Sequence, residues 1–266
     1  MSLSVIIIAK NEEAALGACL ASVAWADECI VLDGGSHDAT VDVARQAGAR
    51  VAVSTDWPGF GPQKNRALDL ATGDWVLSID ADEQVSVALR EEILSVMRAP
   101  SADLYRLPRS SRYCGQAMRY GGWWPDFVVR LFRRGTARFS DDLVHERLVG
   151  NQGTTLGTLH APLDHETYVD LEEALDKANR YSTLGARQAH VRGERASLGK
   201  ALGHGFWAFF RTLVLRRSFL DGGHGLLLAM SNAHTTFYRY AKLWCLEHGN
   251  LNHQEGSKNS EPQGSD

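Results

Sequence analysis

Short apolar runs alternate with amphipathic segments over the first hundred residues of the chain. Four runs are apolar enough to be strands buried on both faces: SVIIIA (4–9), ECIVLD (28–33), RVAVS (50–54) and DWVLSID (74–80). Helical patterns separate these runs. The second helix is predicted to end at Gly48, and the third has Pro62 in its first turn and ends before Gly73. This alternation predicts a parallel sheet with helices packed on its faces.

The pattern becomes less regular after residue 100. Ser86 is placed to cap a helix running to about Arg98, and Arg-rich strands and turns follow to about residue 165. Residues 170–192 have the periodicity of a surface helix, 197–217 are aromatic and basic, and a last helix is predicted around 224–247. We therefore predict an α/β domain over 1–168, a helical C-terminal extension over 169–249 and a disordered polar tail over 250–266.

Composition narrows the class of protein. The chain has 266 residues, 44% of them hydrophobic, and its net charge of −4 does not suit a protein that coats nucleic acid, so no nucleic-acid partner is expected. Its four cysteines are scattered without metal-ligand spacing, which is typical of a reduced intracellular protein. The start MSLSVIII lacks the basic leader of a signal peptide, and Arg211 and Asp221 interrupt the longest apolar runs. We expect a cytoplasmic protein that does not span the membrane.

Acidic residues crowd the predicted ends of the strands. Asp33 ends the second strand, Asp80 and Asp82 follow the fourth in LSIDADEQV (77–85), and KNEE (10–13) follows the first. The carboxyl ends of parallel strands meet at one sheet edge, where the carboxylates would repel each other unless a cation offset them. Mg²⁺ or Mn²⁺ would suit these oxygen ligands. The alternative is that residues 80–83 form a solvated turn before the next helix. Neither a P-loop nor GxGxxG is present.

These motifs together carry a resemblance. The ordered set AKNEE (9–13), VLDGGSHDAT (31–40), QKNRAL (63–68) and SIDADE (78–83) resembles the donor-binding half of family 2 glycosyltransferases of the GT-A fold. VVRLFRR (128–134), VHERL (144–148), PLDHETY (162–168) and the segment 219–244 narrow the resemblance to bacterial lipopolysaccharide core β-1,4-glucosyltransferases. The resemblance covers about residues 3–247. It implies a Rossmann-like nucleotide-sugar-binding domain, with a donor-binding half over 1–100 and an acceptor half over 101–168.

The resemblance also implies roles for individual donor-side residues. Asp33 would contact the uracil and ribose, and Asp80 and Asp82 would bind the ribose and a metal-bridged diphosphate. Asp82 is expected to ligate the Mg²⁺ or Mn²⁺ directly, with Asp80 as a possible second ligand. The donor pocket would also be lined by Asn11, Glu12, Asn65 and Arg66. Helix capping by Asn11 and surface pairing by Arg66 are the structural alternatives.

A second acid is needed to activate the acceptor. A sugar hydroxyl is a poor nucleophile and requires a general base within hydrogen-bond reach. The candidates are Asp126, Asp141, Asp142 and Glu146. The resemblance of VHERL favours Glu146, with Asp142 and Asp126 as alternatives. Two histidines are also considered: His145 to orient the substrate, and His165 to bind metal or phosphate, each with a structural role as the alternative.

Two basic segments suggest the nature of the acceptor. Residues 102–139 contain eight arginines and two aspartates, which favours an anionic acceptor bound by Arg130 and His145, or else charge balance against the acidic donor edge. Residues 187–217 contain seven Lys or Arg against one acid, interleaved with Phe206, Trp207, Phe209 and Phe210. This pattern indicates contact with a membrane surface, and the alternative is a helix packed in the core.

The resulting hypothesis is a metal-dependent, inverting hexosyltransferase. It would transfer glucose from UDP-glucose to a lipid-linked anionic glycan, with a heptose of the lipopolysaccharide inner core as the acceptor sugar. It would lie peripherally on the inner face of the cytoplasmic membrane. One alternative is a sugar-nucleotide nucleotidyltransferase, although KNEE stands where its glycine-rich loop would be. The other is a non-catalytic, membrane-associated glycan-binding module.

Overall fold

The structure, a computed structural model, describes residues 1–140 and 146–248. The chain divides into two compact units. The first consists of Met1–Arg112 and Trp123–Thr167, and the second of Tyr113–Gly122 and the chain from Tyr168 onward. The tail predicted to be disordered, 250–266, lies outside the described residues, and that prediction stays untested.

The first unit is built on a mixed sheet whose parallel part contains the four predicted strands. These are β1 (Leu3–Ala9), β2 (Glu28–Asp33), β3 (Arg50–Val53) and β4 (Trp75–Asp80), arranged in the order β3-β2-β1-β4. Each bound agrees with the prediction to within one residue. All seven residues of β1 are buried, as expected for a strand covered on both faces.

Antiparallel strands extend the sheet beyond β4. The strands that follow β4 along the chain are β5 (Glu83–Val85), β6 (Leu104–Tyr113), β7 (Gln116–Ala117), β8 (Asp126–Arg133), β9 (Ala137–Phe139), β10 (Leu148–Gly150), β11 (Leu156–Thr158) and β12 (Leu163–Tyr168). Of these, β7 lies in the second unit. The sheet continues from β4 through β8, β6 and β12 to β5, with β11 parallel to β6, while β9 and β10 form a separate pair. The pairing of β12 with β5 sets His165 opposite Glu83.

Helices cover both faces of this sheet. They are α1 (Leu16–Ser22), α2 (Thr40–Gln46), α3 (Phe60–Asp69) and α4 (Val87–Arg98). The side chain of Ser86 accepts a hydrogen bond from the Leu89 amide and caps α4, as the sequence predicted. Successive residues of one strand enter opposite cores, since Ile7 belongs to one apolar cluster and Ile6 to the other.

The second unit is mainly helical. It contains α5 (Leu171–Val191), α6 (Leu198–Phe210), a π-helical segment (Arg211–Leu215), a 3₁₀ turn (Ser218–Asp221) and α7 (Gly222–Glu247). Asp170 caps α5 and Ser197 caps α6 by accepting main-chain hydrogen bonds. A Cβ at Gly205 would lie only 3.1 Å from Cβ of Phe237, so this glycine allows α6 and α7 to approach closely. Within the described ranges, no helix combines the length and apolarity needed to cross a membrane.

Candidate active site

The carboxyl ends of the parallel strands bring three predicted site segments to one edge. Ala9 of β1 pairs in register with Asp33 of β2, and Ile8 pairs with Asp80 of β4. Asn11, just beyond β1, has a left-handed φ of 57°, and its side-chain oxygen accepts a hydrogen bond from the His37 amide at 2.9 Å. Asn11 therefore ties the loops after β1 and β2 together, and Glu12 is held beside it by a hydrogen bond from its amide to Thr40.

Asp33 organises the turn that follows β2. One of its carboxylate oxygens accepts hydrogen bonds from the amides of Gly35 and Ser36 at 2.9 and 3.0 Å, and the other accepts one from the Ser36 hydroxyl. Gly35 adopts a φ of 80°, which is strained for any residue with a side chain. Asp33 is only 1% exposed, and these hydrogen bonds of its carboxylate are all made within its own turn.

A chain of alternating charges runs through the first unit. Asp126 pairs with Arg109 at 2.6 Å, and Arg109 also lies 3.5 Å from Glu83. The guanidinium of Arg130 joins Glu83, at 2.6 Å, to Asp80. Lys64 then joins Asp80, at 2.9 Å, to Glu146, at 2.8 Å. This ion-pair chain links two of the acids considered as the general base, Asp126 and Glu146, through Asp80, which is predicted to bind the donor.

The centre of the ion-pair chain is strongly polarised. Glu83 is fully buried and Arg130 is 6% exposed, and buried charges are stable only when paired. Burial opposes ionisation of Asp80, but the charges of Arg130 and Lys64 outweigh it and hold the pKa of that carboxyl well below its usual range. Burial raises the pKa of Glu83, and the Arg130 charge offsets only part of that effect. Asp80 is thus held ionised at neutral pH.

The segment that carries Glu146 approaches α3 closely at Gly61, which has no side chain. A Cβ on Gly61 would lie 1.9 Å from the carbonyl oxygen of Ser140 and 3.4 Å from Cβ of Glu146. This glycine therefore allows the segment around Glu146 to lie against the first turn of α3. The Lys64 side chain, which contacts Glu146, is only 4% exposed.

Asp82 and His165 form a second cluster, next to the ion-pair chain. His165 Nε2 lies 3.3 Å from Oδ2 of Asp82, while its Nδ1 contacts the hydroxyls of Ser111 and Thr167 at 3.0 and 3.1 Å. Those hydroxyls can hold the proton on Nδ1, which leaves Nε2 as a neutral ligand atom. Neighbouring ligand atoms of an octahedral Mg²⁺ or Mn²⁺ lie about 3 Å apart, so the observed separation fits a shared divalent ion.

Asn65 and Arg66, predicted to line the donor pocket, make structural contacts. The amide of Asn65 exchanges two hydrogen bonds of 2.9 Å with the main chain of Phe139. Arg66 pairs with Asp56 at 2.8 Å on an exposed surface, which matches the alternative of surface pairing. Hydrogen bonds from Arg66 and Ser54 lower the pKa of Asp56 to about 2. A donor-binding role for Asn65 and Arg66 stays a prediction.

Other predicted residues lie elsewhere or outside the described part of the chain. Asp141, Asp142 and His145 fall between the described ranges, so their roles as base and acceptor contact stay predictions. Arg130 is embedded between Asp80 and Glu83, and its contact with an acceptor also stays a prediction.

Five arginines of the basic segment 102–139 pair with acids of the first unit, as the charge-balance alternative expects: Arg109, Arg112, Arg130, Arg133 and Arg138.

Sequence reasoning missed the structural importance of Lys64 and Glu83. Glu83 falls in the alternative interpretation of residues 80–83 as a solvated turn, but it lies in β5 with no exposed surface. Arg130 and the Asp80 amide donate hydrogen bonds to its two oxygens. Alternation in EQV, where Glu83 and Val85 share a face, was the available signal. No local pattern pointed to the contact between Lys64 and Glu146.

Comparisons with known proteins identify the family to which the chain belongs. Residues 4–148, more than half of the chain, match the family described as Glycosyl transferase family 2. The chain is 31% identical over 256 residues to the lipopolysaccharide core biosynthesis glycosyltransferase LpsC of Rhizobium meliloti, covering 92% of each protein. It is also 31% identical over 254 residues to an uncharacterized glycosyltransferase of Rickettsia felis, covering 91% of this chain and 89% of that protein.

Solved structures give a more distant similarity. The S. aureus TarS fragment 1-349 in complex with UDP aligns with a TM-score of 0.49 and 16% identity, over 94% of this chain and 92% of that chain. At this distance the likeness supports no conclusion about function.

Proposed function

Because the chain belongs to glycosyl transferase family 2, we propose that it is a metal-dependent, inverting hexosyltransferase acting on a lipid-linked glycan. The predicted GT-A type of α/β fold is confirmed by this membership together with the observed sheet. The proposed donor is UDP-glucose, and the proposed acceptor sugar is a heptose of the lipopolysaccharide inner core. The similarity to LpsC, which is named for lipopolysaccharide core biosynthesis, supports this choice of acceptor.

The pairing of Asp82 with His165 is the observation that carries the proposal. Among residues 1–140 and 146–248, no group of three or more His, Cys, Asp and Glu side chains is placed to hold a metal. Two protein ligands are nonetheless sufficient for Mg²⁺ or Mn²⁺ in sites where substrate phosphates and waters complete the coordination. When bound, the ion would offset the negative charge that develops on the departing diphosphate.

Residues around Asp82 would bind and orient the donor. Asp80 is kept ionised by Lys64 and Arg130, so it can accept hydrogen bonds from ribose hydroxyls. Asp33, at the next strand end, is proposed to contact the uracil and ribose. Asn11 and Glu12 lie in the loop after β1, the strand between those that end in Asp33 and Asp80. They are proposed to line the same pocket.

Glu146 is our proposed general base. It shares Lys64 with Asp80, which supports a position beside the donor site, and its side chain is 18% exposed. Inversion requires the base to lie across the anomeric carbon from the leaving group, where it takes the proton of the acceptor hydroxyl. Asp126, which pairs with Arg109 and is 41% exposed, is the described alternative.

The surface of the helical unit supports a peripheral membrane location. Apolar side chains are exposed on α6 and around the 3₁₀ turn, including Phe206, Phe219 and Leu220. Exposed cations lie in the same stretch, and its one acid between residues 195 and 246, Asp221, is buried. Cations beside exposed aromatics suit an anionic lipid surface, so we propose binding to the inner face of the cytoplasmic membrane.

The two alternative functions are less well supported. A nucleotidyltransferase would not be expected in this family, and a non-catalytic binding module would not need the paired Asp82 and His165 or the buried ion-pair chain.

The decisive experiment is transfer from a panel of sugar nucleotides to truncated lipopolysaccharide acceptors, with and without Mn²⁺, followed by mass and linkage analysis. We expect a hexose to be added from UDP-glucose only when the metal is present. Transfer that persists in a chelator would refute the metal-dependent mechanism, and transfer from a different sugar nucleotide would refute the proposed donor.

A further inference from the structure

A cavity of 460 Å³ lies within the helical unit, among α5, α6 and α7. Its volume falls in the range of about 300–1,000 Å³ that is usual for small-molecule sites. The lining includes Arg211, His204 and Trp207 from the α6 side, and Arg239 and Tyr240 from α7. None of the described residues that line it is acidic, so the cavity is strongly basic.

The two arginines of this cavity, Arg211 and Arg239, have no partner of opposite charge among the described residues. Within residues 1–140 and 146–248, neither guanidinium makes an ion pair or a hydrogen bond to another residue. The Nε–H of Arg239 is buried without an acceptor, which costs free energy that a bound anion at the same guanidinium would offset. Gly185 leaves room for this side chain, because a Cβ there would lie 3.2 Å from Cδ of Arg239.

Aromatic rings complete one wall of the cavity. His204 stacks on Tyr240 with ring centroids 4.4 Å apart and planes at 18°. Lys200 Nζ lies 5.4 Å from the centre of the same Tyr240 ring, which adds a further cation nearby. Trp207 is half exposed and offers a flat apolar face, while Ser182, Thr235 and Thr236 contribute hydroxyls. Flat rings beside hydroxyls suit a sugar ring, which has both apolar C–H faces and polar edges.

The local backbone is also unusual at this point. Arg211 begins the π-helical segment Arg211–Leu215, which directly continues α6. π-Helical turns are rare and occur frequently at functional sites.

We propose that this cavity binds the phosphate of a phosphorylated sugar, with Arg211 and Arg239 as the anion-binding forks and the Trp207, His204 and Tyr240 rings against the sugar. Guanidinium forks match phosphate oxygens in geometry and charge, which favours a phosphate over a neutral sugar. The inference depends only on the helical unit and stands independently of the proposed transfer reaction. The same phosphate chemistry could come from a soluble sugar phosphate or from the headgroup of a phospholipid.

The test uses the full chain with UDP and Mn²⁺ present in excess, so that the donor site is filled. Calorimetric titrations with glucose 6-phosphate and with glucose are compared for the wild type, Arg211→Gln and Arg239→Gln. Arg187→Gln is the matched control, since Arg187 is exposed on α5 and does not line the cavity. Co-sedimentation with phosphatidylcholine vesicles, with and without phosphatidic acid, forms the lipid arm. Thermal melts, together with the Arg239→Lys variant, which keeps the positive charge, distinguish a loss of binding from a loss of folding.

We expect glucose 6-phosphate to bind more tightly than glucose, and Arg211→Gln and Arg239→Gln each to weaken its binding about tenfold or more. Arg187→Gln should bind like the wild type. If the cavity variants instead reduce binding only to vesicles with phosphatidic acid, the phosphate site is supported with a lipid as its source. The proposal is overturned if no phosphate probe binds the wild type, or if the cavity variants bind like Arg187→Gln.

Discussion

His165 presents its Nε2 to a carboxylate oxygen of Asp82 at 3.3 Å, across the antiparallel pair of β12 and β5. The partners of the other ring nitrogen, Ser111 and Thr167, fix the orientation of the imidazole. The two residues lie far apart in the sequence, and the turn after β4 meets β12 only in the folded sheet. In the proposed metal site, this contact would supply two different ligand types, a carboxylate and an imidazole, to the divalent ion.

Removing either ligand should abolish the effect of metal on donor binding. For Asp82→Ala and His165→Ala we expect UDP affinity in the presence of Mn²⁺ to fall at least about tenfold, because each variant loses one of two protein ligands. Titration calorimetry with and without Mn²⁺ measures this. Asp164→Ala, altered at the neighbouring position of β12, is the control and should bind normally. Metal-independent UDP binding that is equal in all four proteins would rule out the site.

The Glu146→Gln variant tests the proposed base. We expect turnover to fall about 10²-fold or more, the usual contribution of a general base, while UDP binding is retained. Steady-state kinetics and calorimetry measure the two quantities separately. Asp126→Asn is the matched comparison, since its acid lies at the other end of the ion-pair chain. If Asp126→Asn loses turnover and Glu146→Gln does not, the base is Asp126.

We expect substitution of Arg130 to lower the free energy of unfolding of the protein. Arg130→Met would leave the buried carboxylate of Glu83 without its main partner, and removing one member of a buried pair costs about 3–5 kcal/mol. Urea denaturation measures the free energy of unfolding. Arg138→Met is the control, because Arg138 pairs with Asp69 on an exposed surface, where such pairs contribute about 1 kcal/mol or less. Similar losses in both variants would contradict the importance of burial at Arg130.

Cysteine reactivity gives a pH-dependent test of the core beneath the site. Burial raises the pKa of the Cys29 thiol to about 12 and raises that of Cys19 as well, whereas the thiol of an unfolded chain has a pKa of about 8.5. Both thiols therefore stay protonated in the folded protein at pH 9 and should react with iodoacetamide at least about tenfold more slowly than in urea. Labelling of Cys29 should accelerate only as the pH rises toward 12. Mass spectrometry of each peptide reports the rates, and rapid labelling of folded protein at pH 9 would contradict the prediction.

The exposed apolar residues of the helical unit should govern membrane binding. Phe219→Ser combined with Leu220→Ser should reduce co-sedimentation with anionic vesicles about tenfold or more, since each buried side chain contributes about 1.5–3 kcal/mol. Val87→Ser, which alters an exposed apolar residue of the first unit, is the control. Binding of the wild type should weaken as salt rises, because cations contribute to it. Unchanged binding of the double variant would place the membrane contact elsewhere.

Local sequence patterns determined the positions of the parallel strands and of several helix ends. The β-branched runs located β1 to β4 to within one residue. Ser86 marked the start of α4, and Gly48 marked the end of α2. A strand or helix that is buried along its length must carry a matching periodicity of apolar residues, so its position can be predicted from its own residues. The placement of Asp33 and Asp80 at one edge followed as well, since parallel strands align their carboxyl ends.

Only the tertiary structure decided the partners of these residues. The contact of Arg130 with an acceptor stays a prediction, and the pairing of β8 beside β4 sets Arg130 between Asp80 and Glu83. The contacts of Lys64 with Glu146 and of His165 with Asp82 likewise join distant segments. Periodicity records whether a residue is buried, but a charged residue is stabilised by a particular partner, and the order of strands in the sheet determines which partner that is.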